Sequence, residues 1–199
     1  MFPDFLENPS DVAAPLLLGC TLTRTITLNG EKHKLVARIV ETEAYDQDDP
    51  ASHAFGGPSE RNAAMFGPAG HLYVYVSYGM HHCCNIVCGP EGFGSGCLVR
   101  AVEPLEGVEV MRELREAGRA GKRPLKLRDL TNGPGKVCAA LGIDKGLYGH
   151  DLTVKPLVLD FAPLLPGETI GSSPRVGISK NANAQKRFFI EGNAFVSRA

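Results

Sequence analysis

The sequence predicts an α+β fold: a mostly antiparallel, curved β-sheet with a protruding β-hairpin, flanked by helices. Three observations predict it. Strand-like alternation fills most of the first hundred residues, helical periodicity appears only after them, and nothing alternates as βαβ units would. The 23 glycines and 14 prolines call for many turns rather than long helices. A length of 199 residues suits one domain spanning 1–199, with no repeat, low-complexity tract or linker, and is enough to bury a core without staples.

In chain order, Ser10 to Leu18 reads as a short helix with Ser10 as cap and Asp11 in its first turn. Cys20 to Leu28 carries threonines at 21, 23, 25 and 27, the period of a half-exposed strand. Asn29-Gly30 follows, a hairpin signal because both residues tolerate positive φ. The return strand runs from His33 to Glu43, then Leu72 to Tyr78 ends at Gly79. Asn85 to Cys88 and Cys97 to Glu103 are strands separated by a glycine-rich stretch. The period then changes: Leu105, Val108, Met111 and Leu114 share one helical face, with Arg112, Arg115 and Arg119 outside it. A second helix opens at Gly133-Pro134-Gly135-Lys136 and buries Val137, Ala140 and Leu141. Short strands recur at Leu157 to Phe161 and Arg187 to Glu191.

Composition narrows the function classes. No stretch approaches the roughly 18 apolar residues needed to span a bilayer, and Met1-Phe2-Pro3-Asp4 lacks the basic segment of a signal peptide. A cytoplasmic, nucleoid-associated protein is expected, its six cysteines buried thiols. The net charge of −1 argues against binding nucleic acid by bulk electrostatics, but it hides a split. Eight Lys/Arg stand against three acids between Met111 and Lys136, whereas Glu41 to Asp49 holds five acids and no base. Charge runs ordinarily mark solvated faces.

Candidate chemistry concentrates early. Strict alternation places Leu35, Ala37 and Ile39 on one face with Glu41 and Glu43, aiming a carboxylate into a cleft at the strand's end. Four of the five tyrosines, Tyr45, Tyr73, Tyr75 and Tyr78, lie within residues 45–78 of a chain without Trp. With His53, they offer flat faces suited to stacking on an unstacked base. Thr131 to Lys136 forms a glycine-rich helix start whose free N–H groups, with Lys136, suit a phosphate. A proline-started helix with no ligand fits the same residues.

Several ordered blocks then become specific: Arg38-Ile39-Val40-Glu41-Thr42-Glu43-Ala44-Tyr45, His53, Leu72 to Met80, Leu98 to Gly107, Gly133-Pro134 with Lys136, and Arg175-Val176-Gly177. Together they resemble the 3-methyladenine (alkyladenine) DNA glycosylase family over nearly the whole chain. The resemblance implies a monomeric DNA-repair enzyme acting on duplex DNA that contains damaged purines. The damaged purine is flipped out and its N-glycosidic bond hydrolysed, with no cofactor or metal. Glu43 would activate the attacking water and Arg100 would hold that water and carboxylate. Tyr45, His53 and Tyr75 would wall the base pocket, and Asn85 would reject the 2-amino group of guanine. Tyr78, with Met80 beside it, would wedge into the duplex, and Lys136 would meet a phosphate. Glu41 does not match the catalytic position, so its replacement is expected to cost turnover far less. No lysine near Glu43 resembles a nucleophile, which implies attack by water without strand cleavage. Bulky aromatics usual in that family are replaced here by His81 and His82.

Rival readings have their own signatures. His81-His82-Cys83-Cys84 with Cys88 invites zinc, but neighbours on a strand point to opposite faces and paired C-x-x-C spacing is missing. A zinc base deaminase needs H-x-E and P-C-x-x-C, whereas His53 is followed by Ala54-Phe55. A non-catalytic nucleic-acid-binding module would use the same tyrosines and arginines without needing Glu43.

Overall fold

The computed structural model describes residues 4–117 and 123–198; Arg119 and Lys122 of the basic window lie outside them. One eight-stranded antiparallel sheet organises the chain: β1 (Thr21–Leu28), β2 (Glu31–Asp46), β3 (Leu72–Ser77), β4 (His81–Val87), β5 (Ser95–Glu106), β6 (Leu157–Asp160), β7 (Ile170–Ser173) and β8 (Arg187–Ile190). The order is β3-β4-β5-β2-β1-β6, and β8 pairs with both β2 and β7. At 16 residues, β2 is long enough to take two partners along one edge. Its first half pairs with β1 as far as Arg38, and Glu41 to Glu43 then pair with β8. The α+β fold with a mostly antiparallel sheet and flanking helices is thus the one the sequence predicts; β7 escaped the sequence reading because Ile170-Gly171-Ser172-Ser173 has no alternation to see.

Helix α1 (Ser10–Leu16) starts one residue earlier than a Ser10 cap implies. Pro9 occupies the cap position without a side-chain cap. Ser10 is the first helical residue, and its N–H donates to Asp46 Oδ1 at 3.1 Å, so a carboxylate from β2 does the capping. At the other end, Thr42 Oγ1 donates to the Ala14 carbonyl at 2.8 Å. Helices α2 (Val108–Glu116) and α3 (Pro134–Leu141) lay Met111, Val137 and Leu141 into the core. Leu105, expected on α2, still belongs to β5.

The strand that matters most does not alternate as a regular strand would. Ile39 faces Val102 and Glu41 faces Ala101, so Val40 is an extra residue; Thr42 then faces Val99, which makes Arg100 the extra residue on β5. These opposed bulges reverse the parity of β2. Leu35, Ala37 and Ile39 enter the apolar core at odd positions, but beyond the bulge the core takes Val40 and Ala44. Glu41 and Glu43 therefore face away from the core that Leu35, Ala37 and Ile39 build. The shared face expected from strict alternation is corrected by one inserted residue.

Candidate active site

Residues opposed across four strands form the floor of a cleft. Glu43 on β2 faces Leu98 on β5, Leu98 faces Asn85 on β4, and Asn85 faces Tyr73 on β3. With strands ~4.8 Å apart, the row spans about 14 Å. The next cross-strand pair on the same face, Tyr75 with Cys83, extends it. His53 reaches the row from the loop after β2, because Gly94 lets that loop close: a Cβ there would lie 2.6 Å from both Ala54 and the Phe66 ring. The result is an open cavity of ≈ 380 Å³ whose lining includes Glu43, Tyr45, His53, Tyr75, Asn85 and Arg100. The catalytic and pocket residues expected from the sequence are thus brought together, and Tyr73, Cys83 and Val176 join them.

Glu43 is fully buried yet well supplied with donors. Val176 N–H donates to Oε1 at 2.8 Å, Tyr45 O–H donates to Oε2 at 2.9 Å, and Arg100 Nη1 lies 3.4 Å from Oε1. Two donors and a cation satisfy oxygens that burial would otherwise leave unpaired. Tyr45 is in turn backed by Arg175, whose guanidinium carbon sits 4.6 Å from the ring centroid. Buried Arg175 pairs with Asp49 at 2.8 Å and donates to the Ala44 carbonyl at 2.8 Å. The segment carrying Val176 is thereby fixed against the end of β2.

The opposite wall is aromatic. The His53 ring meets Tyr75 edge-on at 4.5 Å, its Nδ1 lies 3.0 Å from the Tyr73 hydroxyl, and Tyr73 and Tyr75 stack at 5.6 Å. Burial, and then the charge of Arg61, lowers the His53 pKa, which favours neutral imidazole at pH 7. Burial pushes the Tyr73 hydroxyl to about 12 and the Cys83 thiol to about 11. Burial, reinforced by the charge of Glu43, holds the Tyr45 hydroxyl well above its ordinary range. The walls are therefore uncharged, and charge in the cleft rests with Glu43 and Arg100. Asn85 is 4% exposed, and its Nδ2 donor has no hydrogen-bond partner among the described residues.

At the mouth, the β3–β4 hairpin turns through Tyr78 (φ 49°) and Gly79 (φ 71°), closed by Met80 N–H donating to the Ser77 carbonyl at 3.2 Å. A turn with two positive φ angles suits glycine or asparagine; a tyrosine there costs about 1–2 kcal/mol. Tyr78 nevertheless stands 86% exposed and Met80 72% exposed. Tyr78 also borders the cavity, whereas Met80 is not among its lining residues. The strained backbone thus carries an aromatic ring that buries little of itself against the rest of the fold.

Lys136 lies elsewhere. It lines a second cavity of ≈ 470 Å³ with Lys126, Arg128, Arg198 and Arg100, against the single acid Asp129. Arg100 belongs to both cavities. The basic window is divided in its duties: Arg112 and Arg115 donate to the Leu125 and Leu130 carbonyls and secure the following segment, leaving Lys126, Arg128 and Lys136 to face the cavity. The acidic run is not a solvated face. Glu41, Glu43, Asp46 and Asp49 are buried, and their partners are Arg100, Arg187, Arg175 and Lys186. Those partners lie 50 or more residues away, beyond what sequence spacing can pair.

Of the adjacent His81, His82, Cys83 and Cys84, the two histidines stay at the surface, Cys83 lines the cleft and Cys84 enters the core. No three metal-ligating side chains converge among the described residues, and no helix among them is long and apolar enough to cross a membrane.

Comparison with known proteins meets this geometry. The methylpurine-DNA glycosylase (MPG) family profile matches residues 4–194. A protein from Nitrosospira multiformis named "Putative 3-methyladenine DNA glycosylase" is 46% identical over 195 residues, covering 98% of this chain and 92% of its own. Proteins of the same name from Carboxydothermus hydrogenoformans and Agrobacterium fabrum are 43% and 51% identical, covering 94% and 80% of this chain and 93% and 77% of their own. The chain belongs to the methylpurine-DNA glycosylase family.

Proposed function

We propose that the protein is a monofunctional glycosylase that excises damaged purines of the 3-methyladenine class from duplex DNA, acting as a monomer in the cytoplasm. One observation carries the reading: a buried carboxylate, Glu43, opens onto an aromatic cleft with Arg100 beside it and no lysine among the described lining residues. A flipped base stacks between Tyr45 and the His53–Tyr75 wall. Neutral walls suit an alkylated purine that carries positive charge, and aromatic faces attract it by about 0.5–2 kcal/mol. Glu43 accepts a proton from water as its oxygen attacks the sugar C1′. The C1′–N bond breaks with its electron pair passing to the cationic base, which leaves neutral. The Glu43 charge also stabilises the oxocarbenium-like transition state. The free Nδ2 donor of Asn85 supports its role against guanine, whose exocyclic 2-amino group is also a donor.

Incubation with alkylated duplex decides the reaction. Release of free base supports it; tight binding without release makes the protein a non-catalytic binding module and overturns it.

Two further results are expected. Tyr78→Ala slows excision from duplex and weakens lesion binding, because the gap left by the flipped nucleotide is no longer filled by Tyr78 with Met80. Single-stranded substrate is affected less, and equal losses on both would remove the wedge role. The second cavity would seat backbone phosphate, so Lys136→Gln is expected to lower the slope of log affinity against log salt by about one unit. An unchanged slope would return Lys136 to a structural role.

A further inference from the structure

A buried polar cluster behind the cleft has no part in the reaction as described. Glu41 lies at the second carboxylate position of β2 and is fully buried. It accepts from Arg187 Nε at 2.6 Å, from Ser197 N–H at 2.7 Å and from Ser197 Oγ–H at 2.8 Å. Arg100 Nε lies 3.1 Å from the same carboxylate and also donates to Ser197 Oγ at 3.0 Å. The Ser197 carbonyl closes the cluster by accepting from Arg187 at 3.0 Å. Two guanidiniums and the two carboxylates Glu41 and Glu43 thus balance in charge.

Arg100 touches this cluster and the cleft with opposite ends. Its Nε edge is gripped by Ser197 and Glu41, while Nη1 reaches Glu43 at a looser 3.4 Å. As the extra residue of a bulge, it is not held in register by an opposed residue on β2. The basic cavity on its other side leaves room for the guanidinium to swing away. What fixes its direction is the pair of contacts at Nε.

We propose that Ser197 is a positioning residue: its hydroxyl, accepting from Arg100 and donating to Glu41, sets the direction in which Arg100 presents itself to Glu43. The proposal rests on the reading of Glu43 and Arg100 above. A serine hydroxyl can do both jobs at once because it carries one donor and two acceptor lone pairs. Arg187 and the backbone N–H of residue 197 still hold Glu41 without it. Ser197→Ala therefore leaves the charge balance intact and removes only the two hydroxyl bonds, leaving Arg100 Nε with Glu41 as its one remaining contact there.

The test compares the wild-type protein, Ser197→Ala and Ser197→Thr, each well below its melting temperature, by two readouts. In the first, single-turnover excision is expected to fall about tenfold or more in Ser197→Ala, since a 1 Å misplacement can cost ~10²-fold. Affinity for lesion duplex stays within a few-fold, and Ser197→Thr, which keeps the hydroxyl, restores the rate. The second follows the Arg100 Nε–H by nitrogen-15 NMR. Its resonance is expected to shift and exchange faster with water in the alanine variant and to return in the threonine variant. A wild-type rate in Ser197→Ala, a threonine variant as slow as alanine, or an unmoved resonance would overturn the proposal. If the wild-type protein releases no base, the reading of the reaction falls, and the resonance alone still decides the positioning of Arg100.

Discussion

Glu43→Gln is expected to lower single-turnover excision by at least ~10²-fold, about 2.7 kcal/mol of transition-state stabilisation, while lesion-duplex binding stays within a few-fold. Glutamine keeps the shape: its one carbonyl oxygen can still accept from Val176 N–H, 2.8 Å from Oε1 in the wild type, and its amide N–H can donate to the Tyr45 hydroxyl, 2.9 Å from Oε2, which then turns to accept. What it loses is the proton-accepting basicity and the negative charge beside the sugar. Of the binding groups, Tyr45 touches Glu43 through its hydroxyl and keeps its ring against Arg175, while the His53–Tyr75 wall, the Tyr78 tip and the basic cavity lie on other elements or on the far side of Arg100. Measuring rate and affinity on the same protein separates the two effects, and near-normal turnover would sink the mechanism.

Glu41→Gln is expected to act on stability first. Glu41 is the carboxylate shared by Arg100 and Arg187, both buried. Removing its charge leaves Arg187 without its carboxylate and Arg100 with Glu43 alone. Breaking a buried ion pair costs about 3–5 kcal/mol, which for a chain of this size lowers the melting temperature by about 6–20 °C. Thermal unfolding followed by circular dichroism checks this, and a shift of only a degree or two would show that the cluster is better solvated than its burial implies. The expectation that replacing Glu41 costs turnover far less than replacing Glu43 is thus joined by an expected loss of stability, because Glu41 holds two buried guanidiniums. Because Glu41 also holds the Nε edge of Arg100, the proper control for charge without loss of chemistry is a surface acid such as Asp48.

The outcome for these two glutamates shows where sequence reasoning reaches its limit. Two carboxylates two residues apart look equivalent on an alternating strand, and only the match of Glu43 to a family motif separated them. The structure gives the physical difference: Glu43 opens on the cleft, and Glu41 is closed over by Ser197 and Arg187.

By itself, the sequence determined what depends on local pattern: the Asn29-Gly30 turn, the threonine-alternating β1, the helical period through Met111 and Leu114, the hairpin tip at Tyr78-Gly79, and the clustering of tyrosines that marks the cleft. Periodicity and turn chemistry act over a few residues, so they can be read there. Only the tertiary structure decided which face of β2 the carboxylates take, since a single inserted residue, Val40, reverses it. It also decided that the acids of Glu41 to Asp49 are largely buried rather than solvated. Their partners, Arg100, Arg175, Lys186 and Arg187, come from strands and loops that meet them only once the sheet is formed. Tyr148 shows the same limit: far from the other tyrosines in the chain, it packs edge-on against Tyr73 at 6.1 Å. A contact between distant segments arises from chain closure, and no local pattern of residue types encodes it.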